Sequence, residues 1–227
     1  MRIAVVGATG GTGRKVVELA LARGHQVVAV ARRPESVPPA PGLSVRRGDV
    51  LDVESLTNAL RDVEAVISCI GPTRNLSPGT IMSVGVANLI AACERAGVNR
   101  FVLQSGITLS DGSEFAPWNR WVLRLLRRVF ARAIDDKALA ERALRRSRLE
   151  WVIVRPAGLR DAPATGNYVA GPNARVAPLL PLPFADCAGC LVRAAVAPEW
   201  VGRIVNAGRR LATRGTILLD AEQNVLR

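Results

Sequence analysis

Histidine, tyrosine and lysine are scarce in this chain of 227 residues. His25 is the only histidine, Tyr168 the only tyrosine, and Lys15 and Lys137 the only lysines. One histidine and four cysteines at 69, 93, 187 and 190 give no zinc spacing, because Cys187-x-x-Cys190 has no second pair. No resident metal is expected. Cys187 and Cys190 have the separation of a redox pair, but they fall in the apolar helical pattern Ala185 to Val196 with no thioredoxin-like unit around them, so all four read as small buried thiols. Aromatic residues make up only 4% of the chain and no base-reading motif is present. The net charge of +12, nearly all of it arginine, therefore reads as a compositional bias, and no nucleic-acid partner is expected. No run approaches the roughly 18 to 20 uncharged apolar residues that span a bilayer. Arg2 begins a strand instead of a secretory n-region, so a cytoplasmic protein without membrane insertion is expected, as a monomer or weak homodimer.

What the chain does have begins at its first turn, M-R-I-A-V-V-G-A-T-G-G-T-G-R. Ile3 to Val6 is a short apolar run that reads as a buried strand; from Thr12 the apolar residues recur at helix spacing until Gly24 stops them. Between strand and helix stand Gly7, Gly10, Gly11 and Gly13, with Thr9 and Thr12 beside them. Glycine lets the backbone turn sharply and leaves N–H groups at a helix N-terminus open to a phosphate. The unit opens a doubly wound parallel α/β sheet of Rossmann type, expected as one domain over residues 1–208 with a lid-like helical insertion near 112–134 and a C-terminal extension at 209–227.

Further along, Gln26 to Ala31 reads as the second strand and ends at Arg32-Arg33-Pro34. A cofactor with a free ribose 2′-hydroxyl calls for a carboxylate at this point, whereas a 2′-phosphate calls for a cation. Two guanidiniums stand there and no carboxylate appears before Glu35, so the expected cofactor is NADPH (NADP). After strand Leu43 to Arg46, Asp49 and Val50 fall at the edge where an adenine amino group would lie, and Asp52 suits the N-cap of a helix from Val53 to Leu60. A fourth strand, Ala65 to Ile70, leads into the loop Gly71 to Pro78, and helix Thr80 to Ala96 follows. Strand Phe101 to Gln104 then ends at Ser105, readable either as a turn serine or as a side chain facing the crevice.

From Leu123 to Ile134 arginines alternate with Val, Leu and Phe at helical spacing, which fits a lid, a membrane-surface helix or an ordinary docked helix. Helix continues over Ala138 to Ser147, strand Trp151 to Val154 is broken by Pro156, and Ala157 to Pro183 reads as an irregular excursion. Helix Ala185 to Val196 and strand Arg203 to Asn206 close the sheet, and Thr216 to Leu219 is a possible tail strand.

The stretches G-A-T-G-G-T-G, V-A-R-R, G-D-V-L and L-S-P-G-T-I-M-S-V-G-V-A-N-L-I-A-A, together with Ile134 to Lys137 and T-G-N-Y at Thr165 to Tyr168, resemble the atypical short-chain dehydrogenase/reductase group that contains biliverdin-IXβ reductase, also called flavin reductase. The resemblance covers about Met1 to Gly208. It implies NADPH as hydride donor and a broad pocket for flavins and other flat conjugated acceptors. It also implies phosphate contacts at Gly7, Gly10 and Gly13, a 2′-phosphate contact at Arg32, an adenine site at Asp49 and Val50, Ser105 as the catalytic-site serine beside the nicotinamide, and a nicotinamide cover after Pro156. Two departures stand out: Gly158 occupies the place of a histidine found in tetrapyrrole reducers, and the 123–134 helix is longer than its counterpart.

Ketone reduction in typical short-chain dehydrogenases uses a Tyr-x-x-x-Lys pair to protonate the alkoxide. Here Ala133 stands four residues before Lys137, which reads as structural or electrostatic. Flavins and quinones delocalise the incoming charge, so solvent can supply the proton. The competing expectation is a nucleotide sensor, similar to the NmrA-like regulators, that binds NADP without turnover.

Overall fold

A computed structural model describes residues 1–71, 80–109, 131–177 and 180–210. The loop after Gly71, the basic stretch up to Phe130 and the tail with its possible strand at 216–219 lie outside the described residues.

The first half of the chain alternates strand and helix except between its second and third strands: β1 (Arg2–Val6), α1 (Gly11–Ala22), β2 (Gln26–Ala31), β3 (Leu43–Arg47), α2 (Val53–Ala59), β4 (Ala65–Ser68), α3 (Ile81–Ala96) and β5 (Arg100–Gln104). Then come α4 (Ala131–Arg146), β6 (Glu150–Pro156), the short strands β7 (Leu159–Arg160), β8 (Val169–Gly171) and β9 (Leu182–Pro183), α5 (Phe184–Val196) and β10 (Arg203–Gly208). The main sheet has the order β3-β2-β1-β4-β5-β6-β10-β8. Its pairs run parallel except β10 with β8, which is antiparallel. Strand order reverses between β1 and β4, which opens a crevice at their carboxyl ends.

Helices cover both faces, so the inner strands are apolar on both sides. Alternation sorts their side chains by face. Ile3, Val5 and Ile67 pack towards α1 and α5 with Val16, Ala20 and Leu191, while Ala4, Val6 and Val66 pack towards α2, α3 and α4 with Leu56, Leu89 and Leu144. No described helix is long and apolar enough to cross a membrane.

The structure corrects three local expectations. β4 ends at Ser68, although the Cys69 N–H still donates to the Val6 carbonyl at 2.8 Å. Pro156 does not break β6. Val154 accepts from the Ser105 N–H at the end of β5, and Ala157 donates to Ala207 of β10, so the proline nitrogen falls on the side where β5 has already ended and no donor is needed. The excursion after Ala157 is also more regular than its Gly and Pro content suggests. It carries β7 and β9, which pair with each other, and β8, which edges the main sheet.

Two connections matter for the site. Asp52 caps α2 as expected, accepting from the Glu54 and Ser55 N–H groups at 3.0 and 3.2 Å. Asp136 of α4 caps α3 from outside, accepting from the Met82 and Ser83 N–H groups at 2.9 Å each. One unbroken helix thus carries Asp136 and Lys137, and the cap sets how that helix sits against α3.

Candidate functional site

The phosphate turn is built from close backbone contacts. Gly7 has φ of +83°, and a Cβ there would lie 2.9 Å from the carbonyl carbon and oxygen of Cys69. A Cβ on Gly13 would lie 2.1 Å from the Gly7 carbonyl oxygen. Gly10 is different, since its nearest neighbour would be that same oxygen at 3.4 Å, while Gly11 faces the ring of Phe184 on α5. Thr12 is buried and Thr9 is exposed. The N-terminus of α1 carries no side-chain cap and no acidic residue in its first turn. Its leading N–H groups are therefore open to an anion at the crevice, where the helix dipole favours one.

At the carboxyl end of β2, Arg32 and Arg33 are both exposed. One turn further on, the Asp49 carboxylate accepts from the Leu51 N–H at 3.0 Å, its own N–H donates to Ser55 Oγ, and the Val50 carbonyl accepts from Asn88 Nδ2 of α3. These bonds fix the β3–α2 turn at the crevice rim.

Across the switch point, the ends of β4, β5 and β6 enclose a cavity of about 290 Å³ lined by Gly71, Ser105, Lys137, Pro156 and Gly158 among others. Ser105, Gly71 and Pro156, picked from three separate stretches of sequence, are thus brought to one place. Ser105 is 6% exposed, and its Oγ, like Oε1 of the neighbouring Gln104, is buried without a hydrogen-bond partner among the described residues. Buried polar atoms are rarely left unpaired, so these orphans fit a site completed by a ligand.

The remaining candidates for acid chemistry lie elsewhere. Tyr168 is held over α5, with its hydroxyl 3.0 Å from where a Cβ of Gly189 would be, because Asp186 accepts from the Thr165 and Gly166 N–H groups and from Thr165 Oγ. His25 follows α1 at the opposite edge of the sheet; its N–H donates to Ala20, and burial with the N-terminal amine and Arg23 lowers its pKa. The cysteines are free thiols. Cys93, Cys187 and Cys190 are buried, and burial pushes Cys69, Cys93 and Cys190 up to about 12, so they remain protonated and inert near neutrality.

Sequence reasoning did not place Lys137 in the cavity or link it to Glu141 and Arg155. Glu141 receives Arg155 through two bonds, Nε to Oε1 at 3.0 Å and Nη2 to Oε2 at 2.6 Å. The i, i+4 spacing of Lys137 and Glu141 was visible, but nothing local joins them to Arg155.

A family model described as NAD(P)H-binding matches residues 7–198. Among curated proteins, an uncharacterised chloroplastic protein of Arabidopsis thaliana is 32% identical over 76% of this chain and 64% of its own length. The photosystem II assembly factor Ycf39 of Synechocystis is 30% identical over 74% and 48%. The chain therefore spans less than two thirds of either relative. Among solved structures, ChuY, an anaerobillin reductase of Escherichia coli O157:H7, superposes with a TM-score of 0.76 at 26% identity, covering 94% of this chain and 99% of its own. The glycine turn, the open helix end and the cavity at the switch point accord with these matches, and the chain belongs to the NAD(P)H-binding family, with the sheet of the atypical short-chain dehydrogenase/reductase type.

Proposed function

We propose that the protein is an NADPH-dependent oxidoreductase that passes hydride to a flat conjugated acceptor such as a flavin or a quinone. The carrying observation is the cavity beside Ser105. It adjoins the crevice that fits a dinucleotide, and its described lining contains a serine and a lysine but no tyrosine, histidine or carboxylate. When bound, NADPH would supply the hydride. Gly7 and Gly13 give the diphosphate close access to backbone N–H groups, and Arg32 and Arg33 meet the 2′-phosphate. Ser105 orients the rings, and Pro156 with Gly158 covers them. With no tyrosine, histidine or carboxylate in the described lining to protonate an alkoxide, simple ketones are poor substrates, whereas acceptors that delocalise charge take their proton from water. The similarity to an anaerobillin reductase supports a conjugated acceptor of this kind.

The test is NADPH oxidation, followed by loss of reduced-nicotinamide absorbance, across a panel of flavins, quinones, dyes and unactivated ketones. Brisk turnover of the ketones would exclude this acceptor class. The lack of tyrosine, histidine and carboxylate in the described lining, and the likeness to a protein named as an assembly factor, favour a second reading in which NADP(H) is bound and sensed without turnover. Tight NADPH binding with no acceptor oxidising it would establish that reading.

A further inference from the structure

Gln104 is the last residue of β5, and the alternation that turns Val102 towards α1 and α5 turns Gln104 to that same face. There it lines the cavity together with Pro156, Gly158 and Leu159. Its backbone is fixed by parallel pairing with Val154, and the bond from the Ser105 N–H to the Val154 carbonyl fixes the residue after it. The side chain is half-buried, yet its Oε1 is shielded from water and receives no hydrogen bond from any described residue. Ser105 Oγ beside it is in the same state. A buried carboxamide oxygen without a donor is a cost to folding, and methionine would fill the same space without it. A ligand that brings the missing donor offsets that cost. The carboxamide also defines its partner. It offers an acceptor oxygen and N–H donors side by side in one plane, so its complement is a group with an N–H next to a carbonyl.

We propose that Gln104 is a specificity-determining residue of the cavity, which selects flat conjugated acceptors with an imide or lactam edge over quinones, whose carbonyls have no N–H beside them. The selectivity rests on the reductase reading above. An imide N–H donates to Oε1 while its carbonyl accepts from Nε2, so both ends of the carboxamide are satisfied. A quinone takes the Nε2 donor alone and leaves Oε1 unpaired. A site built around a hydrogen bond rejects an analogue that lacks it far more strongly than an apolar wall rejects one of the wrong length. In an isoalloxazine the imide edge adjoins N5, the atom that receives hydride. The bonds that select the ring therefore also bring N5 towards Ser105. The nicotinamide carboxamide carries the same donor and acceptor, and it is the competing partner for Gln104.

Riboflavin, 3-methylriboflavin, in which a methyl group replaces the imide hydrogen, and menadione, a quinone, separate these chemistries. With wild-type protein saturated with NADP⁺, quenching of flavin fluorescence reads affinity without turnover, and 3-methylriboflavin should bind at least about tenfold more weakly than riboflavin. In Gln104→Met riboflavin should weaken at least about tenfold, and the penalty of the added methyl should shrink to less than about threefold, because the donor it removes no longer has an acceptor. The ratio of kcat/KM for riboflavin to that for menadione should fall about tenfold in the same variant, while the Kd for NADPH stays within about twofold. Equal binding of the two flavins by wild-type protein, or no quenching of either, overturns the proposal without any variant. A methyl penalty of undiminished size in Gln104→Met means steric exclusion and overturns it as well. A loss of NADPH affinity as large as the loss for riboflavin assigns the carboxamide to the nicotinamide and overturns acceptor selection. If no acceptor oxidises NADPH, the reductase reading fails, while the two flavin affinities still support or overturn recognition of the imide edge by Gln104.

Discussion

The two ends of the crevice are built by different means. The β1–α1 end is made of backbone: seven residues from Gly7 to Gly13 supply the turn and the open N–H groups, and added carbon at Gly7 or Gly13 is what it cannot accept. The β5–β6 end is made of side chains, with Ser105 after β5, Lys137 and Glu141 on α4 and Arg155 on β6, and lost charge in the Glu141–Arg155 pair is what it cannot accept. The first end has no room for bulk at Gly7 or Gly13. The second tolerates changes of shape better than the loss of one member of a buried pair.

The strongest way to break this contrast is at Glu141. Glu141→Ala leaves Arg155, whose side chain is 12% exposed, charged and unpaired, and should destabilise the fold by about 3–5 kcal/mol in urea unfolding. The double change Glu141→Met, Arg155→Met should recover most of that loss, because two apolar chains of similar size leave no buried charge. Equal destabilisation by the single and double variants would show that packing, and not charge, governs this end.

Next in size is Gly13→Ala. Its new methyl would meet the Gly7 carbonyl oxygen at 2.1 Å, an approach that backbone must relieve by moving α1. Overpacking of this kind costs about 3 kcal/mol at the upper end of its usual range, and NADPH affinity should fall at least about tenfold as the N–H groups turn away. Isothermal titration and thermal unfolding on the same sample separate the two effects. Unchanged binding would remove α1 from the cofactor site.

The same difference explains what could be read from the sequence. The β1–α1 unit was legible because its determinants are contiguous: an apolar strand, spaced glycines and an amphipathic helix. The doubly wound parallel class followed from the alternation of strands and helices, and Asp52 announced its own cap three residues ahead of Ser55. The position of Lys137 depended on contacts distant in sequence. Asp136 reaches across 53 and 54 residues to Ser83 and Met82, and that cap sets how α4 lies on α3. Arg155 joins Glu141 from 14 residues away on a strand. Pro156 misled for a related reason, since its missing donor matters only where a neighbouring strand is present, and β5 has ended there. Lys137 read as structural or electrostatic, and its place in the cavity was not legible.

A third test concerns the exposed cations between the two ends. Arg32→Ala should weaken NADPH binding about ten- to a hundredfold, the roughly 1.5–3 kcal/mol of a charge-assisted contact, and leave NADH nearly unchanged. Titration with both cofactors decides it. Equal weakening of the two would mean that Arg32 does not meet the 2′-phosphate, and the preference would then rest on Arg33 or be absent.

The smallest effect sharpens the contrast within the glycine turn itself. Gly10 shares the spacing of Gly7 and Gly13, yet its φ of −75° and ψ of 166° suit any residue, and its nearest neighbour to a new Cβ is the Gly7 oxygen at 3.4 Å. Alanine is a poorer N-cap than glycine, which costs about 0.5–1 kcal/mol, while the reduced freedom of the unfolded chain returns about 0.4–1 kcal/mol. Gly10→Ala should therefore change stability by less than about 0.5 kcal/mol, against the several expected at Gly13. Any loss of NADPH affinity in that variant then reports contact between the cofactor and residue 10, free of a folding defect. If Gly10→Ala destabilised the protein as much as Gly13→Ala, the turn would be constrained by something other than the close approaches at Gly7 and Gly13, and the backbone account of this end would fail.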